Sequence, residues 1–372
     1  MSQLPMPSDV PRELSGPAAQ QQPASASEPL EPPGVKLIVR LFVIPLLIVS
    51  VAVGVMFVIG LLAGREPSME EALRRLRAPG GGRTANWLVG PASKQRYLDA
   101  KTLVDKMKSP QGLSQADRIA LSSQLIDILE NHTQPHEGEV QHFVLLALGR
   151  SWQKHPSQAE MNSPQAIESR RRTLATLLKY TDAPELATRK AAVLATVYLS
   201  AHREASEALP KLVQKLSDPR EDIDVRIAAA TVLGPLAEPA GDPRAIEALR
   251  AAMRESDPRH VELVWSAALS LAQLNQPEVA DTILKLLSRQ ELSKLEYYDR
   301  ESDPQNPSFR RLSDQEQQRI LINTMLGARK LEVAPVQARL RQIAQSDPSP
   351  RVRAAAVEVL QSAADEHGPG PQ

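Results

Sequence analysis

Cysteine is absent from this 372-residue chain, which excludes disulfides, thiolate metal sites, iron–sulfur clusters and cysteine nucleophiles together. Aromatic residues make up only 3% of it, too few for a sheet sandwich or a platform on which bases stack. Net charge is missing as well. The 44 basic and 44 acidic residues cancel, so bulk electrostatics gives no reason to expect nucleic acid or an acidic substrate. Glycine is low, at 17 residues against 31 prolines. Neither a phosphate-cradling Gly-Lys-Ser/Thr, a G-x-S-x-G elbow, a dinucleotide glycine pattern nor a kinase signature occurs. No catalytic residue and no cofactor is therefore expected.

The cancelled charge conceals unlike segments. Residues 1–35 carry one base (Arg12) and four acids (Asp9, Glu13, Glu28, Glu31), with eight prolines and no apolar periodicity. Such a composition buries too little to fold and predicts a disordered tail. Residues 36–64 are different. From Leu41 to Leu62 there are 22 uncharged residues, of which 16 are Leu, Ile, Val or Phe. As a helix this run is about 33 Å long, enough to cross the hydrocarbon core of a bilayer. It is longer than a signal-peptide core, and no small-residue cleavage pattern follows it. A transmembrane helix is the expectation, with Lys36 and Arg40 at its near end. Beyond it stand Arg65, Arg74, Arg75, Arg77 and Arg83, an excess that places the C-terminal part in the cytoplasm by the positive-inside tendency. Ser50 and Gly54 form a small-xxx-small pair, a weak basis for self-association of two spans.

Residues 65–94 read as a juxtamembrane helix and a Gly-rich linker. Ser68 followed by Glu71 forms a capping pattern that opens a helix to about Arg77, with Met69, Leu73 and Leu76 on a stripe suited to a membrane surface. Pro79-Gly80-Gly81-Gly82 breaks it.

From residue 95 to 365 the apolar spacing is helical almost throughout, and residues 366–372 are read as a disordered end. Helix starts are marked by Ser114 before Asp117, Ser163-Pro164, Asp242-Pro243 and Ser313 before Glu316. A period emerges on self-comparison. Val225-Arg226-Ile227-Ala228-Ala229-Ala230 returns as Val352-Arg353-Ala354-Ala355-Ala356, and Thr188-Arg189-Lys190-Ala191-Ala192 and Leu263-Val264-Trp265-Ser266-Ala267-Ala268 align with both. Weaker copies begin at Val140, ending Leu148-Gly149, and at Gln318, ending Leu326-Gly327. A step near 37 residues is one helix–turn–helix unit, which buries its apolar face only by stacking. Ser217-Asp218-Pro219, Ser256-Asp257-Pro258 and Ser346-Asp347-Pro348, with Asp182 in a variant, mark the turns before the second helices.

These residues resemble the HEAT-repeat family, including the HEAT-like repeats of phycobilisome lyases, over roughly 115–364 as six helix pairs. The resemblance implies an all-α fold, a right-handed α-solenoid. It also implies a ladder between repeats from turn acids (Asp182, Asp218, Asp257, Asp347) to second-helix arginines (Arg189, Arg226, Arg319, Arg353). Val264 and Gln141 depart from that pattern.

Few residues offer chemistry. His132, His136 and His142 cluster with Glu137 and Glu139, but Pro135 and Gly138 break the helix a metal pair needs, so ordinary turn residues and no metal are expected. Arg170-Arg171-Arg172 reads as helix surface. The insertion at about 289–313 is the best candidate for function. Its Tyr297, Tyr298, Phe309, Arg310 and Arg311 have interface-anchor chemistry and would bind a partner, or else its aromatics fold back onto adjacent helices and close a groove. The resulting expectation is a single-pass membrane protein with a cytoplasmic solenoid that binds other proteins, without catalysis and without nucleic acid. The alternatives are an enzyme accessory of the HEAT-like lyase type and an extracytoplasmic envelope-assembly factor.

Overall fold

In the computed structural model the capping residues stand where the sequence places them. The Ser114 and Ser313 hydroxyls accept from the amides of Asp117 and Glu316, whose carboxylates bond back to the serine amides. Ser68, Ser163 and Asp242 cap likewise, the last two ahead of Pro164 and Pro243. The structure describes residues 67–78, 92–107, 113–134, 136–154, 162–239, 241–299, 302, 306 and 308–367. The chain divides into two units, Met1–Arg65 and Glu66–Gln372, and all described residues belong to the second. The expected tail (1–35) and span (41–62) lie outside the described residues. Among the described residues no helix is long and apolar enough to cross a membrane.

Among the described residues the elements are helices apart from one small hairpin. In chain order they are α1 (Met69–Arg77), α2 (Ala92–Lys106), α3 (Gln115–Asn131), α4 (Gly138–Arg150), α5 (Pro164–Tyr180), α6 (Leu186–Ala195), α7 (Leu209–Ser217), α8 (Ile223–Ala237), α9 (Pro243–Met253), α10 (Val261–Gln273), α11 (Ala280–Leu286), α12 (Arg289–Lys294), β1 (Glu296–Tyr298), β2 (Phe309–Arg311), α13 (Asp314–Gly327), α14 (Ala334–Ser346) and α15 (Pro350–His367). They pair as α1/α2, α3/α4, α5/α6, α7/α8, α9/α10, α11/α13 and α14/α15. Second helices stack on second helices (α2 on α4, α4 on α6, α6 on α8, α8 on α10, α13 on α15), and among first helices α1 meets α3, α3 meets α5, α7 meets α9 and α11 meets α14. This is the stacked-pair construction of an α-solenoid.

Small residues set the stacking distance. Ala191, Ala192, Ala228, Ala229, Ala267 and Ala268 are all buried in the shared core. Pro235 sits inside α8 and cannot donate to the Thr231 carbonyl one turn back. The Ser270 hydroxyl of α10 stands 3.4 Å from that carbonyl and donates to Ala230 O at 2.6 Å, so the neighbouring repeat compensates the proline.

Three expectations are corrected here. The helix 69–77 is not a membrane-surface helix. Ala72, Leu73 and Leu76 are buried and pack on α2, so it opens the stack and gives seven pairs rather than six among the described residues. Its apolar stripe fits a bilayer and a neighbouring helix equally well, and packing against α2 buries Leu73 and Leu76 and half-buries Met69.

Arg170 is not surface either. It is 1% exposed, lies 5.5 Å over the Trp152 ring, and donates to both Glu204 carboxylate oxygens at 3.0 and 3.2 Å. Arg171 does point outward, to Glu207.

The inter-repeat ladder exists at two of the four expected arginines, and with different acids; Arg353 donates to the Asp347 and Pro348 carbonyls, and Arg319 pairs with no acid among the described residues. Arg189 donates to Glu221 at 3.1 Å, and Arg226 approaches Glu255 at 3.8 Å. Asp218 and Asp257 instead accept from the amides of Arg220 and Arg259 just after their prolines, and Asp222 caps α8. Asp347 takes two bonds from Arg289. Asp182 reaches the next repeat through Lys211 and Lys215, not through an arginine.

The Asp182–Lys215–Glu221–Arg189 network predicts a pH profile. Burial pushes the Glu221 carboxyl up, but the Lys215 ammonium, the Asp222 amide and the Arg189 charge outweigh it and hold it below 4.5. Asp182 is likewise held below 3.8, with the two lysines overriding burial. Burial also opposes the Lys215 charge, yet its carboxylate partners raise it above 10.5. The carboxylates thus add stability that is complete above their unfolded values and lost as pH falls through the lower folded ones. The lysine term is complete below 10.5 and lost as pH rises through its folded value. Thermal scans should show a plateau from about pH 5.5 to 9.5 with falls on both sides. Lys215→Met should lower the plateau and make the acid limb shallower; an unchanged acid limb would contradict the assignment.

Candidate protein-binding groove

Residues at one-turn spacing on α10 aim Glu262, Trp265 and Leu269 along one side of the helix. Trp265 and Leu269 are only partly buried. Leu194 from α6, Ile227 from α8 and Ile320 from α13 come up beside them, because the second helices stack in register. Together they floor a cavity of about 660 Å³, rimmed by Lys190, Glu262, Glu316, Arg319 and Asn323. A second cavity of about 650 Å³ adjoins it through the shared residues Glu316, Arg319 and Asn323, and adds Arg310, Gln318 and Arg351. The two cavities share this wall of α13; the floor of the first is apolar, and arginines dominate the lining of the second, and we refer to the pair as the groove.

The hairpin closes one side of this groove. Its strands pair antiparallel with Tyr297 opposite Arg310 and Tyr298 opposite Phe309. The Tyr297 ring stacks on Trp265, with centroids 6.3 Å apart and 25° between planes, and its hydroxyl donates to Glu262. The Arg310 guanidinium also lies over this ring, 5.6 Å from its centroid. Arg310 then forks onto Glu316 at 2.7 and 2.9 Å, the same carboxylate that caps α13 through Ser313. Arg310 and the Ser313 hydroxyl hold the Glu316 carboxyl well below its ordinary value, so it stays charged across the physiological range.

The five residues singled out in the insertion thus divide. Tyr297 and Arg310 fasten the hairpin to α10 and α13. Tyr298 and Phe309 contact each other at 5.9 Å with Phe309 exposed, and Arg311 is exposed. Sequence reasoning missed the partners of the fastened pair, Trp265, Glu262 and Glu316. Trp265 carried a signal: it stands in the alanine-rich repeat core at a position where the other copies have Ile227, Lys190 and Ala354. Replacing Tyr297 by Ala should detach the hairpin locally and speed tryptic cleavage after Arg310 and Arg311 by about tenfold, whereas Tyr297→Phe retains the stack and should change it far less.

The histidines lie elsewhere. His132 follows the end of α3 near Asp127, and His142 packs edge-on to Phe143 with its Nδ1 3.3 Å from the Ala187 carbonyl. Among the described residues no group of three or more metal-capable side chains converges.

The fold and groove define a helical-repeat protein of stacked pairs. A family model of HEAT repeats matches residues 209–293, which run from α7 through α12 and include Trp265. No curated protein matches the chain.

Proposed function

We propose that this chain is a membrane-anchored HEAT-repeat scaffold that binds protein partners along its second-helix groove and does no chemistry itself. The observation that supports the reading most strongly is the groove: half-buried apolar side chains from four stacked helices, with a polar rim and a fastened edge. Sites of this composition gain from burying an apolar anchor while the rim fixes orientation. The run 41–62 would hold the scaffold at the bilayer and raise its local concentration there, with the solenoid on the cytoplasmic side. The exposed hairpin residues Phe309 and Arg311, with the half-buried Tyr298, would add contacts at the groove edge.

Affinity capture of the full-length protein from detergent-solubilised membranes tests this. A partner retained by wild type and by the first-helix variant Glu247→Arg should be lost from Ser266→Arg/Asn323→Arg, with melting temperatures unchanged within experimental error. Phe309→Ala/Arg311→Ala should weaken capture without abolishing it. Equal capture by all variants would contradict the groove, and release of the full chain from membranes by alkaline carbonate would contradict the anchor.

A further inference from the structure

The basic half of the groove is unbalanced in charge, and that imbalance identifies an occupant. Of the cations that line the two cavities, Lys190 is matched by Asp224 at 2.9 Å and Arg310 by Glu316. The remaining acid, Glu262, accepts from the Tyr297 hydroxyl, a neutral donor that offsets no charge, but it lines the apolar cavity and not the one that holds Arg351. Arg319 on α13 and Arg351 on α15 line the same cavity, are exposed, and make no ion pair with any described residue. Two guanidinium groups without an acid partner thus face a space of about 650 Å³ whose wall of Arg319 and Asn323 is shared with the cavity floored by Trp265, Leu269 and Ile320. Arginine forks favour carboxylates in bidentate geometry, and walls that exclude water on the apolar side strengthen the pairing.

We propose that the groove takes an acidic peptide segment of a partner protein, with an apolar side chain on Trp265, Leu269 and Ile320 and carboxylates on Arg319 and Arg351. This rests on the scaffold reading and names the chemistry of its partner. Asn323 stands on the wall shared by the two cavities and supplies an amide group for the backbone of an extended segment. The neutral balance of the whole chain hides this patch, because the acids that offset it lie elsewhere on the solenoid.

Displayed libraries of short random peptides, selected on the full-length protein in detergent, test the proposal. Wild type should enrich sequences with Asp or Glu next to Leu, Ile or Phe, raising the acid-to-base ratio about threefold over the unselected pool. Arg319→Glu/Arg351→Glu should invert that preference, and should weaken the best acidic peptide about tenfold at low salt, less so at high salt. Both residues are exposed, so the variant should keep the wild-type melting temperature. Selection of basic or uncharged sequences, no enrichment, or an acidic preference that survives the reversal would each overturn the proposal, as would displacement of the peptide by inorganic phosphate or RNA at equal charge. If it fails while Ser266→Arg/Asn323→Arg still abolishes partner capture, the scaffold reading stands and only the acidic specificity is lost. If capture is unaffected too, both fall.

Discussion

Arg170→Met should destabilise the solenoid by about 3–5 kcal/mol, lowering the melting temperature by roughly 10 °C, although the residue sits in a run of three arginines on one helix. The reason is what it would leave behind. Glu204 is 7% exposed; burial pushes its carboxyl up, and the Arg170 guanidinium overrides this and holds it below its ordinary value. Without Arg170, a carboxylate stays buried beside His202, whose own charge burial already disfavours and whose Nε2 is engaged with the Trp152 carbonyl at 2.8 Å. Removing one partner of a buried pair costs more than the pair itself contributes. Two comparisons separate this from a general loss of packing. Arg171→Ala, two-way exposed with Glu207, should change stability by less than about 0.5 kcal/mol. The double variant Arg170→Met/Glu204→Leu should recover most of the loss, because no charge is stranded. Equal destabilisation by the single and double variants would contradict the buried-charge account. Chemical denaturation followed by far-ultraviolet circular dichroism reads all three.

Gly149→Ala and Gly234→Ala should each destabilise by about 2 kcal/mol, even though alanine is the better helix former by roughly 1 kcal/mol. A Cβ at Gly149 would lie 2.4 Å from the backbone oxygen of Ala195 on α6. At Gly234 it would lie 2.9 Å from the Ser270 Cα on α10 and 2.5 Å from the Gln273 side chain. In both cases a backbone of the next repeat must move, and with it the stacking of every later pair. Gly327 occupies the matching place in α13, but there the Cβ would meet Leu269 side-chain carbons at 3.0 and 3.3 Å, whose far end can turn aside. Gly327→Ala should therefore stay within about 0.5 kcal/mol of wild type. Calorimetry on the three variants checks the order; a Gly327→Ala loss as large as the others would mean that close helix approach is not what these glycines serve.

Those glycines show how far the repeat could be read in advance. Leu148-Gly149 and Leu326-Gly327 end two copies of the period, and Leu233-Gly234 ends a third, so the recurring pair was visible before its packing was. Helix starts were equally legible, because a cap is a local bond between residues three apart, as at Ser114–Asp117 and Ser313–Glu316. What escaped notice depends on distant chain. Glu204 reaches Arg170 only because a short 3-10 segment, Arg203–Ala208, folds back against α5. The ladder arginines were evident from the repeat, but their partners Glu221 and Glu255 lie a few residues from the turn aspartates that the family pattern names. The pair α1/α2 was hidden by its neighbourhood, since an amphipathic helix seven residues after an apolar run suits a membrane surface as readily as a helix stack.

The groove was legible only in outline. The insertion stood out by its aromatics: Tyr297 folds back onto Trp265 with Arg310 over its ring, while Phe309 and Arg311 face solvent. Nothing in the sequence placed Arg319 and Arg351 in one cavity, because they are 32 positions apart on helices that meet only through stacking.

Site-specific photo-crosslinking in native membranes tests the central claim most directly. A photoreactive side chain at Asn323, on the groove, and another at Glu247, on the exposed side of a first helix, are introduced separately into the full-length protein. Binding along the groove predicts a discrete protein adduct from position 323, absent from position 247, whose crosslinked peptide carries acidic and apolar residues side by side. No adduct at 323, or the same adducts from both positions, would contradict it.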